Sequence, residues 1–406
     1  MSRDVLAVRP VERNRDTIGK YIYNFLILGA EAGFKRYHGA MGLTLSHTSA
    51  LHAIRLVRSE GVDVRKMDHV ALAKPTPWRG KRWTTRAFAA DIWAWQVPSE
   101  KNPLHVLVES QLQRVRSRVV NCHVCGWDLP AHSVLYLDEH ASVVAPELLF
   151  LQMSDMLSLQ ELVMLGYELC GCFSCDANNP AKGPVTDKIA PATTVEELVR
   201  FVTSASAYRH VGQAMGALDY IADHAVSVPE AVLATMYSLP VKELGYGMGP
   251  VTLNQRVRIG DDRDAPSRYP DIMFEFAPVG INYDGEVHLD LAGLVSLARA
   301  AERAEGKEAE QAHGELAKKR EAVRAKVVDD AARNRELATR GKLVFPMTKE
   351  NLYGKDNLDR FTREILQCAR AFFGTDTSKY EKVLNDTSLC KERYEMLSKL
   401  LTHDVH

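Results

Sequence analysis

The chain lacks the marks of a membrane or secreted protein. Its 406 residues contain no run of about 18 apolar residues, which excludes a transmembrane helix. The opening residues, MSRDVLAVRPVERNRD, have no apolar core of the kind a secretory signal needs, so a cytoplasmic protein with no membrane partner is expected. Cysteine is sparse and odd in number, at 7, which fits reduced thiols better than a disulfide framework. Charge of either sign is not in excess: 51 basic against 52 acidic residues leave a net charge of −1. No whole-protein field therefore draws in nucleic acid, and any such contact must use a local patch. No internal repeat is visible.

What is present is enough for two or three domains, because a chain of 406 residues exceeds one ordinary core. Residues 1–60 read as mainly helical, with the apolar stretch YIYNFLILGAEAGF and then SHTSALHAIRLVRSEG, a helix with Ser46 or Thr48 as its cap and Gly61 as its stop. From 67 to 145 the pattern changes to short β segments: HVALA, RAFAADIWAW, HVLVES, RVRSRVVNCHV and SVLYLD. Helix returns at Pro146, a residue suited to a first helical turn. The polar, proline-bearing stretch DANNPAKGPVTDKIAP, 176–191, is the best internal boundary signal. Residues 229–373 then run helix, three strands, a long helical region over roughly 291–340, a strand KLVFPMT and a last amphipathic helix.

One of those strands carries an unusual column of polar groups. In INYDGEVHLD, 281–290, Asn282, Asp284, Glu286 and His288 fall at every second position, and alternate side chains of an extended chain share a face. Glu230 opens the preceding helix, and Asp271 follows Pro270 at the start of the neighbouring strand. A hairpin through Ala277-Pro278-Val279-Gly280 brings 271 and 284 close. Carboxylates from a helix and two strands suit Mg²⁺, a hard cation that prefers oxygen, and a metal so held activates water for attack on a phosphate. A nearby histidine positions that water. Each group alone has a plainer reading: Asp271 and Asp284 as solvated or capping strand-end carboxylates, Glu230 as a partner of the helix macrodipole, His288 as a loop hydrogen-bonder and Glu286 as an exposed side chain.

Residues 229–348 resemble the PD-(D/E)XK nuclease superfamily, in the branch related to very-short-patch repair endonucleases. The resemblance rests on Pro270-Asp271, Asp284-Gly285 and His288 of an E-x-D-G-x-x-H strand. Asp330, Arg333 and Leu337 match that branch's D-x-x-R-x-x-x-L helix before Gly341-Lys342-Leu343-Val344, and Glu230 matches its first-helix acid. The match covers about a third of the chain. Asn282 stands where the family commonly has Glu, and the usual Lys is absent, its place taken by His288. More weakly, residues 104–230, with HVCGWDLP, VVAPELLFLQMSDMLS and SVPEA, resemble abortive-infection antitoxin-like regulators.

The resemblance implies an α/β chain (α+β overall) with a C-terminal restriction-endonuclease-like αβββαβ core, preceded by a mixed α/β N-terminal region. Its expected parts are a helical region 1–66, a mixed module 67–175, a linker with helices 176–228, the nuclease-like domain 229–375 and a helical tail 376–406. It implies a Mg²⁺- or Mn²⁺-dependent DNA endonuclease, with Glu230, Asp271 and Asp284 on the metal and His288 as a further catalytic group. The alternative is a nuclease-derived DNA-binding regulator without turnover, which Asn282 favours.

Two further signals carry two readings each. KPTPWRGKRWTTR, 74–86, sets Lys74, Arg79, Lys81, Arg82 and Arg86 among Trp78 and Trp83, with no acidic residue. That pattern fits phosphate contact with base stacking, or a solvated loop whose tryptophans cover a small core. Arg333 joins the expected nucleic-acid contacts, and Arg114, Arg116 and Arg118 on one strand face would extend the surface or simply be exposed. Cys122-x-x-Cys125 and Cys172-x-x-Cys175 are two pairs able to hold zinc, but the long gap and regular flanks favour buried thiols.

Overall fold

The computed structural model describes residues 43–72, 95–114, 117–138, 141–262, 264–284, 291–304 and 306–402. The apolar stretch 21–34, the basic stretch 74–86, Arg116, Glu286 and His288 lie outside those residues. The protein is a mixed α/β chain whose strands form separate sheets. None of the described helices is long and apolar enough to cross a membrane. The chain divides into two compact units, residues 1–145 and 146–406.

The first unit is built on a five-stranded sheet. Its elements are β1 (Leu43–Leu45), α1 (His47–Ser59), β2 (Leu104–Val108), β3 (Val120–Val124), β4 (Val134–Tyr136) and β5 (Ala141–Val144), in spatial order β3-β2-β1-β5-β4. The pairing is mixed, with β1 parallel to β5 and β2 parallel to β3, while β1–β2 and β4–β5 are antiparallel. Leu51, Ile54 and Val57 recur at helical spacing and are buried, so α1 lays one apolar face on the sheet. Burying those three side chains supplies on the order of 5 kcal/mol by area. The helix stops at Gly61, whose φ of +78° suits glycine.

Three sequence expectations change here. Residues 43–45 are strand, not helix, and occupy the centre of the sheet, so the segment before 67 folds with 95–145 as one unit. The strand β5 was not expected either: ASVV is too short and too uniformly buried to show alternation. Arg114 and Arg118 do not share a strand face, because Arg114 ends a 3₁₀ turn at Gln111–Gln113 and β3 begins only at Val120.

The second unit opens with α2 (Pro146–Met153), α3 (Leu159–Cys170), the short paired strands β6 (Phe173–Ser174) and β7 (Thr186–Asp187), α4 (Val195–Ser204), α5 (Val211–Leu218) and α6 (Val228–Ser238). Capping explains where three of these helices start. Ser158 and Thr194 each form a capping box with the glutamate three residues on, and Ser227 accepts the N–H of Glu230 just after Pro229 enters the first turn. The stretch 176–191 lies inside this unit, between α3 and α4, and contributes β7 to the small hairpin.

Next come β8 (Val251–Leu253), β9 (Val257–Arg258), β10 (Ser267–Arg268), β11 (Ile272–Phe274), β12 (Val279–Asp284), α7 (Leu291–Arg303), α8 (Gly306–Thr339) and β13 (Leu343–Thr348). Four of these strands form a sheet in the order β13-β12-β11-β8, and β9 and β10 pair antiparallel in a separate two-stranded sheet. The meander β8-β11-β12 is antiparallel, while β13 returns after the long α8 to lie parallel to β12. Pro346 is tolerated because β13 is an edge strand. The hairpin turn falls at 275–278, two residues earlier than the sequence suggests, since Val279 and Gly280 already pair within β12. Gly280 sits opposite Met273, and a Cβ there would lie 2.5 Å from the Ile272 carbonyl oxygen, so only glycine lets the strands approach this closely.

The chain ends in α9 (Lys349–Tyr353), α10 (Asn357–Phe373), α11 (Ser378–Asn385) and α12 (Thr387–Leu401). A buried ion pair fixes α12: Arg393 donates to Asp359 of α10 at 3.0 Å and lies 4.4 Å over the Tyr246 ring. The Tyr246 hydroxyl donates to the same carboxylate at 2.5 Å.

Candidate functional site

The expected acidic residues lie on three neighbouring elements of the second unit. Glu230 is the third residue of α6 and is buried, with its oxygens already engaged. Ser227 Oγ donates to one oxygen at 2.8 Å, while the Val226 N–H at 3.2 Å and Asn254 Nδ2 at 2.9 Å donate to the other. Asn254 follows β8 with φ of +49°, and its own N–H donates to the Asp271 carbonyl at 3.1 Å. One asparagine therefore ties the helix acid to the strand that carries Asp271.

Asp271 lies just before β11, against β12. Its N–H donates to Asn282 Oδ1 at 3.1 Å, and its carboxylate Oδ2 accepts the Tyr283 N–H at 2.6 Å. The carboxylate is thereby locked beside the strand whose next residue is Asp284. Its pKa is pushed up to about 7, by burial first, then by the charge of Glu230 and to a lesser extent that of Asp284, while the Tyr283 N–H and Arg333 oppose the rise. Burial likewise raises Glu230 above the ordinary carboxylate range, against its hydrogen bonds from Asn254, Ser227 and Val226.

Asp284 meets cations from α8. Lys326 Nζ lies 3.5 Å from its Oδ1 and 2.8 Å from Asp330, and Arg333 reaches Asp330 at 3.1 Å. Lys326, Asp330 and Arg333 share one helix face because they are three and four residues apart. Arg333 Nε is buried without a hydrogen-bond partner, a donor left over beside a cluster of acids. Asn282 is buried and turns inward, its amide 3.5 Å from Asn334.

The structure thus brings Glu230, Asp271, Asp284 and Arg333 to one end of the sheet, and adds Asn254 and Lys326, which motif reading missed. Lys326 lies 42 residues from Asp284, too far to join a strand motif by spacing. His288 and the basic residues Lys74, Arg79, Lys81, Arg82 and Arg86 fall outside the described residues. The expected set of three metal carboxylates is not met: among the described residues, Glu230, Asp271 and Asp284 are not a set whose ligand atoms all lie within 4.8 Å of one another, and Glu230 is engaged with Ser227, Val226 and Asn254, leaving Asp271 and Asp284 as the candidate oxygen ligands.

The cysteine pairs are separated by the division of the chain. Cys122 and Cys125 belong to the first unit, Cys172 and Cys175 to the second, and none of the four is in a disulfide. The Cys125 thiol donates to the Trp127 carbonyl at 3.1 Å, and burial raises its pKa. Among the described residues, no cysteine belongs to a set of three or more ligand groups close enough for one ion.

A different set meets that condition. His47, His105 and His123 of the first unit offer ring nitrogens that all lie within 4.8 Å of one another. His105 Nδ1 is 2.9 Å from His123 Nε2, and the His47 and His123 rings stack at 3.6 Å. Burial, then the neighbouring His123 and His105, lowers the His47 pKa to about 2, and burial also lowers that of His105, so both rings are neutral at ordinary pH. No sequence signal singled them out, since they are scattered singly over two strands and a helix start.

No family model, curated protein or solved structure matches the chain.

Proposed function

We propose that residues 229–375 form a Mg²⁺- or Mn²⁺-dependent DNA endonuclease of the PD-(D/E)XK type, which hydrolyses phosphodiester bonds. The observation that carries the reading is the Asp271 carboxylate, held by the Tyr283 N–H alongside Asp284, with Lys326 at the far side of Asp284. The order helix α6, antiparallel β8, β11 and β12, helix α8, parallel β13 supports it: with the β9–β10 pair and α7 as insertions, it is the αβββαβ order which the sequence resemblance implies.

The donor set fits such a cation. Mg²⁺ is commonly bound through one or two carboxylates, with waters and substrate phosphate completing its shell. Asp271 and Asp284 would hold it, and Glu230 would add negative charge from behind. When bound, the cation polarises the phosphoryl oxygen and lowers the pKa of a water. The chain's own contribution is positional. Tyr283 fixes the Asp271 oxygen, Asn254 fixes Glu230, and Lys326 stabilises charge that develops on the phosphate. Arg333, with a buried donor to spare, binds an anionic oxygen at the same end of the sheet.

Asn282 favours a second reading, a nuclease-derived DNA-binding regulator without turnover. Its amide brings no charge and is already engaged with Asp271 and Asn334. Plasmid incubated with the full chain and Mg²⁺ or Mn²⁺ separates the two. Metal-dependent nicking that falls at least about 100-fold in Asp271→Ala, Asp284→Ala and Lys326→Ala is the expected result. Binding of plasmid with no metal-dependent nicking overturns the enzyme in favour of the regulator.

A further inference from the structure

We propose that the first unit holds a second, chemically different metal site, in which His47, His105 and His123 bind a zinc-class cation and leave one position open to an anionic oxygen ligand.

The site is assembled from three elements. β2 and β3 run parallel with His105 opposite Asn121 and Leu107 opposite His123, so His105 and His123 project from one face of the sheet. His47 follows β1 as the first residue of α1, and the preceding Ser46 N–H donates to the His105 carbonyl at 3.0 Å. Ser49, in the first turn of α1, accepts the His105 N–H at 2.8 Å. These bonds fix the start of the helix over the two strand histidines. His47 also has φ of +49°, a left-handed conformation that costs a non-glycine residue on the order of 1 kcal/mol and that places its ring against His123.

The chemistry favours a borderline transition cation. Three imidazoles without a carboxylate or thiolate are a poor match for Mg²⁺ or Ca²⁺ and a good one for Zn²⁺ or Co²⁺. Tetrahedral zinc with Zn–N of about 2.0–2.1 Å needs ligand nitrogens roughly 3.3 Å apart. The His105–His123 separation of 2.9 Å is close to that value. The His47 and His123 rings lie within 22° of parallel and the His105 and His123 rings within 19°, so binding one ion requires side-chain rotation that turns the stacked imidazoles towards a common centre. Asn121 Nδ2 lies 3.4 Å from His105 Nε2, on the ring edge opposite the one facing His123. With its amide reversed, Asn121 accepts the Nε2–H and presents Nδ1 as the ligand, the usual task of a group behind a metal-bound histidine.

Three histidines with a free fourth position make a reactive or ligand-binding site instead of a closed structural one. His47 and His105 are buried, whereas His123 lines a cleft of about 660 Å³ together with Arg114, Ser117, Arg118, Asn121 and Cys122. Its two arginines are paired only loosely, Arg118 with Glu100 at 3.5 Å and Arg114 with Gln111 at 3.3 Å. A cation on His123, which lines the cleft, and the two arginines that line it as well suit a phosphate or carboxylate oxygen.

The test uses the full chain, stripped with chelator and titrated with Zn²⁺ and with Co²⁺. One equivalent of zinc by elemental analysis, and visible four-coordinate Co²⁺ bands without sulfur-to-cobalt charge transfer, are expected. His105→Gln and His123→Gln should each lose that equivalent while keeping the wild-type far-ultraviolet circular dichroism, and Asn121→Ala should weaken affinity about tenfold. Asp271→Asn should retain it, which separates this site from the carboxylate site. Inorganic phosphate should perturb the Co²⁺ bands, and Arg114→Gln/Arg118→Gln should weaken that response about tenfold. Thiolate charge transfer, or zinc content unchanged in both histidine variants, overturns the metal site. Co²⁺ bands indifferent to phosphate overturn its open position.

Discussion

At Asp271, burial and two neighbouring acids act on one carboxyl group, and the consequence is a stability that falls with pH. Its pKa moves from 3.8 to about 7 on folding, so the native protein keeps a proton that the unfolded chain has already released. The stabilisation from that proton is fully present below pH 3.8 and is lost as pH rises through 7. Three pKa units correspond to about 4 kcal/mol at most. Thermal melts without divalent cations should therefore show the wild type losing stability between pH 5 and pH 8, while Asp271→Asn loses less, keeping only the share due to the raised Glu230, and melts higher than wild type at pH 8. Added Mg²⁺ should restore the wild type at pH 8 and leave Asp271→Asn unmoved, since a ligand stabilises only the state that binds it. Equal pH slopes for the two proteins would show that Asp271 is ionised without penalty.

Among elements, the β11–β12 hairpin sets the site, because it puts Asp271 against Asn282, Tyr283 and Asp284. Gly280 controls that spacing. A side chain there meets the Ile272 carbonyl as well as Met273, so the strands must part. Gly280→Val should lower stability by about 2–3 kcal/mol in denaturant titration, and it should reduce metal-dependent activity further by moving Asp271 from the Tyr283 N–H. A variant as stable and as active as wild type would mean the hairpin tolerates separation. The sequence made this hairpin legible: two apolar runs flank a proline-containing turn, and polar groups alternate along the second run. Helices were legible in part: Pro146 marked the start of α2, whereas the caps Ser158, Thr194 and Ser227, each followed three residues on by Glu, went unread although the same pattern was there to find. The strands β1 and β5 were not, because three or four residues buried on both faces carry no alternation. Lys326 and Asn254 escaped for another reason: each reaches its acid from an element far away in sequence, by 42 and 24 residues.

For the molecule as a whole, the two proposed sites, one in each unit, use two ligand chemistries that would select different cations. Oxygen ligands from Asp271 and Asp284 suit a hard cation, while the nitrogens of His47, His105 and His123 suit a borderline one. The same contrast explains what motif reading found and what it missed. Acids of the second unit sit in a locally ordered pattern around one hairpin, whereas the three histidines meet only after β1, β2 and β3 are paired. Cysteine spacing pointed to zinc at residues that the two units divide between them.

Mn²⁺ binding to the full chain, followed by electron paramagnetic resonance at pH 8, tests the carboxylate site most directly. The account predicts one Mn²⁺ site that weakens at least about tenfold in Asp271→Asn and in Asp284→Asn, and that is unchanged in His123→Gln. Wild-type Mn²⁺ affinity in both aspartate variants would contradict it.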